Sequence, residues 1–314
     1  MNEKDILYRK IIRVLCCTLI LTATLLSLCT GCGSDSEHND KLNIVATIFP
    51  QYDFARAIAG DAADITMLLA PGAETHSYEP TPKDIKAIEN CDIFIYVGGE
   101  SDSWIDGILE SVDTNKMKII SLMKIVEPLE EENGEEHNGE YDEHVWTSPV
   151  NAVKICKTIA QAMCDADPQN ADLYNKNCES YTAKLTELDK TFRETVSSAA
   201  RKMLVFGDRF PLLYFVKEYG LEYMAAYPGC ASSTEPSPSV IAELINTVKN
   251  ENIPIVFKIE LSNGNIVETI SEATGAKVVT FYSCHNISKD DFYKGETYLS
   301  LMTKNIQSLK EALN

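Results

Sequence analysis

The chain has 314 residues, enough to enclose two modest domains, and carries 47 acidic against 28 basic side chains, a formal charge of −19. So large an acidic excess excludes nucleic acid as a partner, because phosphate binding relies on clustered Lys and Arg, and it suits a cationic ligand. Acidity also maintains solubility, and charge alone does not separate the two readings.

Residues 1–32 read as a lipoprotein signal peptide. Lys4, Arg9, Lys10 and Arg13 form a basic start, residues 14–28 an apolar run, and Thr30-Gly31 supplies small residues before Cys32. The run is short for a membrane span. Cys32 is the expected lipidation site, its thiol taking a diacylglycerol. Cys29, after Leu26-Ser27-Leu28, is the rival, and an ordinary cleaved signal with a stray cysteine is the alternative. Residues 33–41 are polar and read as a flexible tether. No later stretch reaches membrane length. The expected location is therefore the cell membrane, with a soluble body lipid-anchored on the extracytoplasmic face.

From residue 42 the pattern alternates between strand and helix. Strands are predicted at 42–48, 65–69, 92–97 and 117–120, with helices at 51–59, 82–90 and 103–112. A loop at 127–142 carries seven acidic residues from Glu130 to Asp142 around His137, with no Lys or Arg, and like-charge repulsion should keep it extended. A helix is expected at 150–163. Between Pro168 and Lys202 there is no Gly or Pro, and Tyr181, Leu185, Leu188, Phe192 and Val196 recur at spacings of three and four. With Asp167 as N-cap, this predicts one helix of about eight or nine turns. The alternation then resumes, with strands at 203–206, 221–226, 255–259 and 277–282 and helices at 211–219, 236–250, 265–274 and 298–313. The fold class is α/β: two lobes (42–166 and 203–314), each a four-stranded parallel sheet with flanking helices, joined by one long backbone helix at 167–202.

The five histidines are His38, His76, His137, His144 and His285. His76 and His144 have matching settings, each in a loop after a strand and each followed by a Ser or Thr and a Pro that start a helix. Open α/β sheets bind ligands at the carboxyl ends of their strands, and His76, His144, Asp208 and His285 all lie just past such ends, two from each lobe. If those ends face each other, the four converge on one cleft with mixed nitrogen and oxygen donors suited to zinc or manganese. Loop histidines that merely hydrogen-bond to the backbone are the plainer reading.

The segments Gly72-Ala73-x-x-His76-Ser77-Tyr78-Glu79-Pro80-Thr81-Pro82 and His144-Val145-Trp146-x-Ser148-Pro149 resemble the two signature segments of the zinc and manganese substrate-binding lipoproteins of bacterial ABC importers. The similarity runs from about residue 42 to the C-terminus. It implies a monomer that captures a divalent metal ion, Zn2+ or alternatively Mn2+ or iron, between two lobes and delivers it to an ABC transporter permease. It also implies that the loop at 127–142 corresponds to the acidic or histidine-rich loop of many zinc-binding members; a solvated loop with no metal role is the alternative.

The second lobe departs from that pattern. Where the family has a histidine or glutamate after the fifth strand, this chain has Gly207 with Asp208 one place on, and near the family's last aspartate it has Ser283-Cys284-His285. The metal ligands expected are thus His76, His144, Asp208 and His285, with Cys284 and Glu260 as alternatives. Arg209 could instead pair with Asp208. Seven cysteines run from Cys32 onward, an odd count made even by lipidation of Cys32. Cys156, Cys164 and Cys178 fall in helical patterns and read as buried small residues. Cys230 and Cys284 both follow second-lobe strands, and a disulfide between them would remove Cys284 from the ligand set. An enzyme is not expected: His-Glu-x-x-His and Gly-x-Ser-x-Gly are both absent, which opposes a zinc-dependent hydrolase. A surface adhesin on the same fold and anchor remains the rival class.

Overall fold

The structure, a computed structural model, describes residues 41–74, 78–131, 141–227 and 235–314, and these form one compact unit. Strands β1 (Leu42–Ala46), β2 (Ala63–Met67), β3 (Ile93–Tyr96) and β4 (Lys118–Ser121) build a parallel sheet in the order β2-β1-β3-β4. Strands β5 (Met203–Phe206), β6 (Glu222–Ala225), β7 (Ile255–Lys258) and β8 (Lys277–Thr280) repeat it as β6-β5-β7-β8. In both sheets the order reverses beside the first strand, which opens a crevice at the carboxyl ends.

The inner strands β3, β5 and β7 are largely apolar on both faces, as parallel strands covered by helices are. Ile93 and Ile95 of β3 turn one way and Phe94 and Tyr96 the other; in β7, Ile255 and Phe257 oppose Val256. One set of faces meets α1 (Phe49–Ala59), α4 (Pro149–Ala166), α5 (Ala171–Ser197), α6 (Leu213–Tyr219) and α10 (Tyr298–Leu313) in a single core that runs through both lobes. The outer faces have smaller cores of their own, under α2 (Pro82–Glu89) and α3 (Trp104–Ser111) in the first lobe. In the second they lie under α7 (Pro238–Asn250) and α8 (Asn265–Thr274).

The long helix is shorter than the sequence suggested. Pro168–Asn170 form a separate 3-10 turn, and α5 begins at Ala171. The Asp167 carboxylate accepts from the Asn170 amide and from the Tyr174 hydroxyl at 2.7 Å each, so it anchors the turn and does not cap the helix. Tyr174, Cys178, Tyr181, Leu185, Leu188, Phe192 and Val196 of α5 are buried, and the helix packs on α1, α4 and α10. Cys156 and Cys178 are buried as expected, while Cys164 is half-buried. A short helix not foreseen, α9 (Lys289–Tyr293), follows β8 and is N-capped by Ser288.

Candidate metal centre

His144 lies at the start of a 3-10 turn (Val145–Thr147) that leads into α4. Pro149 at the first helical position and the Ser148 hydroxyl, which accepts from Asn151 N–H, fix where α4 begins. The turn therefore places His144 at the inner face, where it is 3% exposed. Its Nδ1 stands 3.3 Å from Asp142 Oδ1, and its backbone N–H donates to the same oxygen at 2.8 Å. An Nδ1–H donating to a carboxylate fixes the ring's tautomer, leaves the lone pair on Nε2, and raises that nitrogen's basicity.

Asp142 is itself held. Its N–H donates to Leu129 O at 2.8 Å, and its own carbonyl accepts from the Tyr214 hydroxyl of α6 at 3.2 Å. Burial pushes the Tyr214 phenol up to about 12, so it stays a neutral donor. Glu130 and Tyr141 pair as an antiparallel bridge, which closes the base of the acidic loop whose middle, 132–140, lies outside the described residues.

His285 comes from the second lobe, in the loop after β8. The rings of His144 and His285 meet edge to face with centroids 4.8 Å apart. Trp146 packs against both, at 5.4 Å from His144 and 5.2 Å from His285. The Trp146 indole N–H donates to Ser283 O at 3.0 Å, and the Tyr298 hydroxyl donates to Trp146 O at 2.7 Å. Two imidazoles from different lobes are thus brought together against one indole.

Beneath His285 sits Glu260, just past β7. Its carboxylate accepts from Ser283 N–H at 2.8 Å, Ser283 Oγ–H at 2.7 Å and His285 N–H at 3.0 Å. Burial raises its pKa, and the bonds from Ser283 and His285 oppose that rise. Both oxygens hold the loop that carries His285.

Asp208 borders the same cavity as His285, a space of ≈ 280 Å³ that also meets Arg209, Glu260, Asn286 and, from the first lobe, Glu74. Its Oδ1 accepts from Arg209 N–H at 2.9 Å and its Oδ2 from Ile259 N–H at 3.2 Å. The Arg209 guanidinium turns instead to Glu74, 3.4 Å away. At Gly207 a Cβ would stand 2.6 Å from Val267 Cα, so a side chain there requires the α8 backbone to shift. That close approach leaves no room for a side-chain donor at position 207.

Cys284 is wholly buried in the core shared by the lobes and carries a free thiol. Cys230, its possible disulfide partner, lies outside the described residues. Its backbone has φ 58°, a left-handed turn that aims neighbouring Ser283 and His285 at the cavity and the thiol away from it. Burial drives its pKa well up, which opposes the thiolate a metal needs. His76 and Cys32 lie outside the described residues. Among the described residues no three His, Cys, Asp or Glu side chains form a ready metal cluster. The contributions of Asp142, Ser283 and Asn286 were missed by sequence reasoning; the one available signal was an aspartate two residues before a motif histidine.

The chain matches the family profile described as ZnuA, zinc-uptake complex component A, periplasmic, over residues 44–312. It is 32% identical over 296 residues to the high-affinity zinc uptake system protein ZnuA of Bacillus subtilis, covering 90% of each chain. It is 32% identical over 304 residues to the zinc-binding lipoprotein AdcA of Streptococcus pneumoniae, covering 93% of this chain and 60% of that relative's length. Among solved structures, the Zn(II)-bound ZnuA-like domain of Streptococcus pneumoniae AdcA has a TM-score of 0.74 at 32% identity, covering 87% of this chain and 99% of that one. The metal-dependent lipoprotein YcdH of Bacillus subtilis has a TM-score of 0.76 at 31% identity, with the same coverages. The chain belongs to the ZnuA family of zinc-uptake binding components, which are not enzymes.

Proposed function

We propose that this protein captures a divalent zinc ion between its lobes and hands it to an ABC permease, with His76, His144 and His285 as nitrogen donors and Asp208 as the oxygen donor. The observation that carries the reading is the approach of His144 and His285 from separate lobes, with Asp142 behind the first ring and Glu260 beneath the loop of the second. Three imidazoles and one carboxylate suit zinc; manganese, which favours more oxygen donors, is the alternative cargo. The family membership and the zinc-binding names of the relatives support the same cargo.

Capture needs little lobe motion, since one core already joins the lobes. Protons compete with the ion as pH falls through the imidazole range near ~6.5, because only neutral histidine coordinates. Anchoring would come from a lipid on Cys32, with a monomeric body at the extracytoplasmic face; among the described residues no helix is long and apolar enough to cross a membrane. The test is metal analysis of the purified protein, with zinc and manganese titrations of wild type, His76→Ala and His144→Ala. Affinity should fall by orders of magnitude in each variant, and unchanged titrations would end the ligand assignment. Detergent partitioning of Cys32→Ser and Cys29→Ser tests the anchor.

A further inference from the structure

His285 belongs to the second lobe and His144 to the first, so the distance between them depends on whatever ties the loop after β8 to the first lobe. Two residues before His285, the Ser283 carbonyl accepts from the Trp146 indole. On the other side the tie is made by Asn286 and Ile287. The Asn286 side chain is 2% exposed. Its Nδ2 donates to Ala73 O at 2.7 Å and Ala70 O at 3.2 Å, and its Oδ1 accepts from Ile287 N–H at 2.7 Å. Gly72 N–H donates back to Ile287 O at 2.8 Å. Gly72 reaches that carbonyl with φ +79°, a backbone conformation that favours glycine. Residues 70–73 follow β2 of the first lobe. His285 is therefore flanked on both sides by hydrogen bonds to the opposite lobe.

We propose that Asn286 is a positioning residue for metal capture: by clasping the loop after β2, it holds His285 at its distance from His144 before any ion arrives. The proposal rests on His285 being a ligand. Both Asn286 Nδ2 bonds go to backbone carbonyls of the first lobe. Asn286 acts by arrangement. A ligand on a loop that must be ordered when the ion binds loses affinity by the conformational freedom given up at that moment. A loop fixed beforehand does not incur that loss on binding.

Because the clasp acts through His285, its effect must vanish when the imidazole is gone, which a double-mutant cycle reads directly. Zinc affinity and zinc release to a chelator are measured for the full chain, Asn286→Ala, His285→Ala and the double variant. Asn286→Ala alone is expected to weaken zinc about tenfold, through faster release, a loss equivalent to about 1.4 kcal/mol. In the His285→Ala background the same substitution should change affinity by less than about twofold, while lowering the melting temperature of the metal-free protein equally in both backgrounds. Asn286→Ser, whose hydroxyl still donates to one carbonyl, should fall between, and it carries the same cycle if the alanine variant does not fold. A loss that adds fully in both backgrounds, or no loss in Asn286→Ala, overturns the positioning role alone. Unchanged affinity in His285→Ala overturns the ligand reading and the clasp with it.

Discussion

Replacing Trp146 with phenylalanine separates the two things that this side chain does. The indole is fully buried, lies against both site histidines, and gives its N–H to Ser283 O in the other lobe. Phenylalanine keeps the backbone carbonyl that accepts from Tyr298 and fills most of the volume. It strands the Ser283 carbonyl, at a cost of about 1–3 kcal/mol, and removes about three ring atoms from a packed site, for about 1–2 kcal/mol more with the cavity they leave. The metal-free variant should therefore lose about 2–5 kcal/mol in urea unfolding followed by circular dichroism, at an unchanged denaturant slope. Zinc should bind about tenfold more weakly, since the His285 loop has lost one of its two ties to the first lobe. A destabilisation under about 1 kcal/mol would refute the account, because a stranded buried acceptor alone costs that much.

Asp142→Asn keeps an oxygen for the His144 backbone but removes the charge behind the ring, and zinc affinity should fall about 10–100-fold in a competition titration. Cys284→Ser should leave zinc binding within about twofold while costing about 1–3 kcal/mol in thermal unfolding, because it buries a hydroxyl among apolar groups and touches no ligand. The Asp102 carboxyl is pushed up to about 6 by burial, against the N–H groups of Val97 and Gly98 that favour its charge, with nearby Glu143 adding to the rise. A folded pKa above the unfolded value means stability is full below pH ~4 and declines as pH rises through ~6, by about 3 kcal/mol for this group. Asp102→Asn should remove that component, so its stability relative to wild type should climb across that window; a flat difference would count against the shift.

The regular part of the fold was legible because its signals are local. Most strands are short apolar runs ended by turns, and α8, between Gly264 and Gly275, and α10, after its N-cap Thr297, occur as read. The start of α5 was misplaced because Asp167 has other partners: the Asn170 amide and the Tyr174 hydroxyl hold its carboxylate at a 3-10 turn. The pairing of His144 with His285 was foreseeable from topology, since both follow parallel strands at facing carboxyl ends. What sequence could not supply was direction. Whether Cys284 or its neighbours face the cavity is decided by a left-handed backbone turn, and whether Glu260 coordinates or anchors is decided by which N–H groups surround it. Asn286 is invisible for the same reason, its partners being 213 and 216 residues away.

The core shared by the lobes has a consequence for how the chain comes to exist. Ile44 of the first strand and Phe54 of the first helix are enclosed in the same cluster as Tyr298, Leu301, Met302 and Leu309 of α10. Phe54 meets Tyr298 edge to face at 4.8 Å, and the carboxylate of Asp53 accepts from Tyr298 N–H. At a synthesis rate of about 5–20 residues per second, roughly 10–50 seconds separate the emergence of these partners. Through that interval the inner face of the first sheet stays open to water, and the nascent protein is a natural client for any holdase that shields apolar surface. Its vulnerability to aggregation is set by the arrival of α10, and a truncation that removes α10 should be cleared by proteases even though it spares every candidate metal ligand.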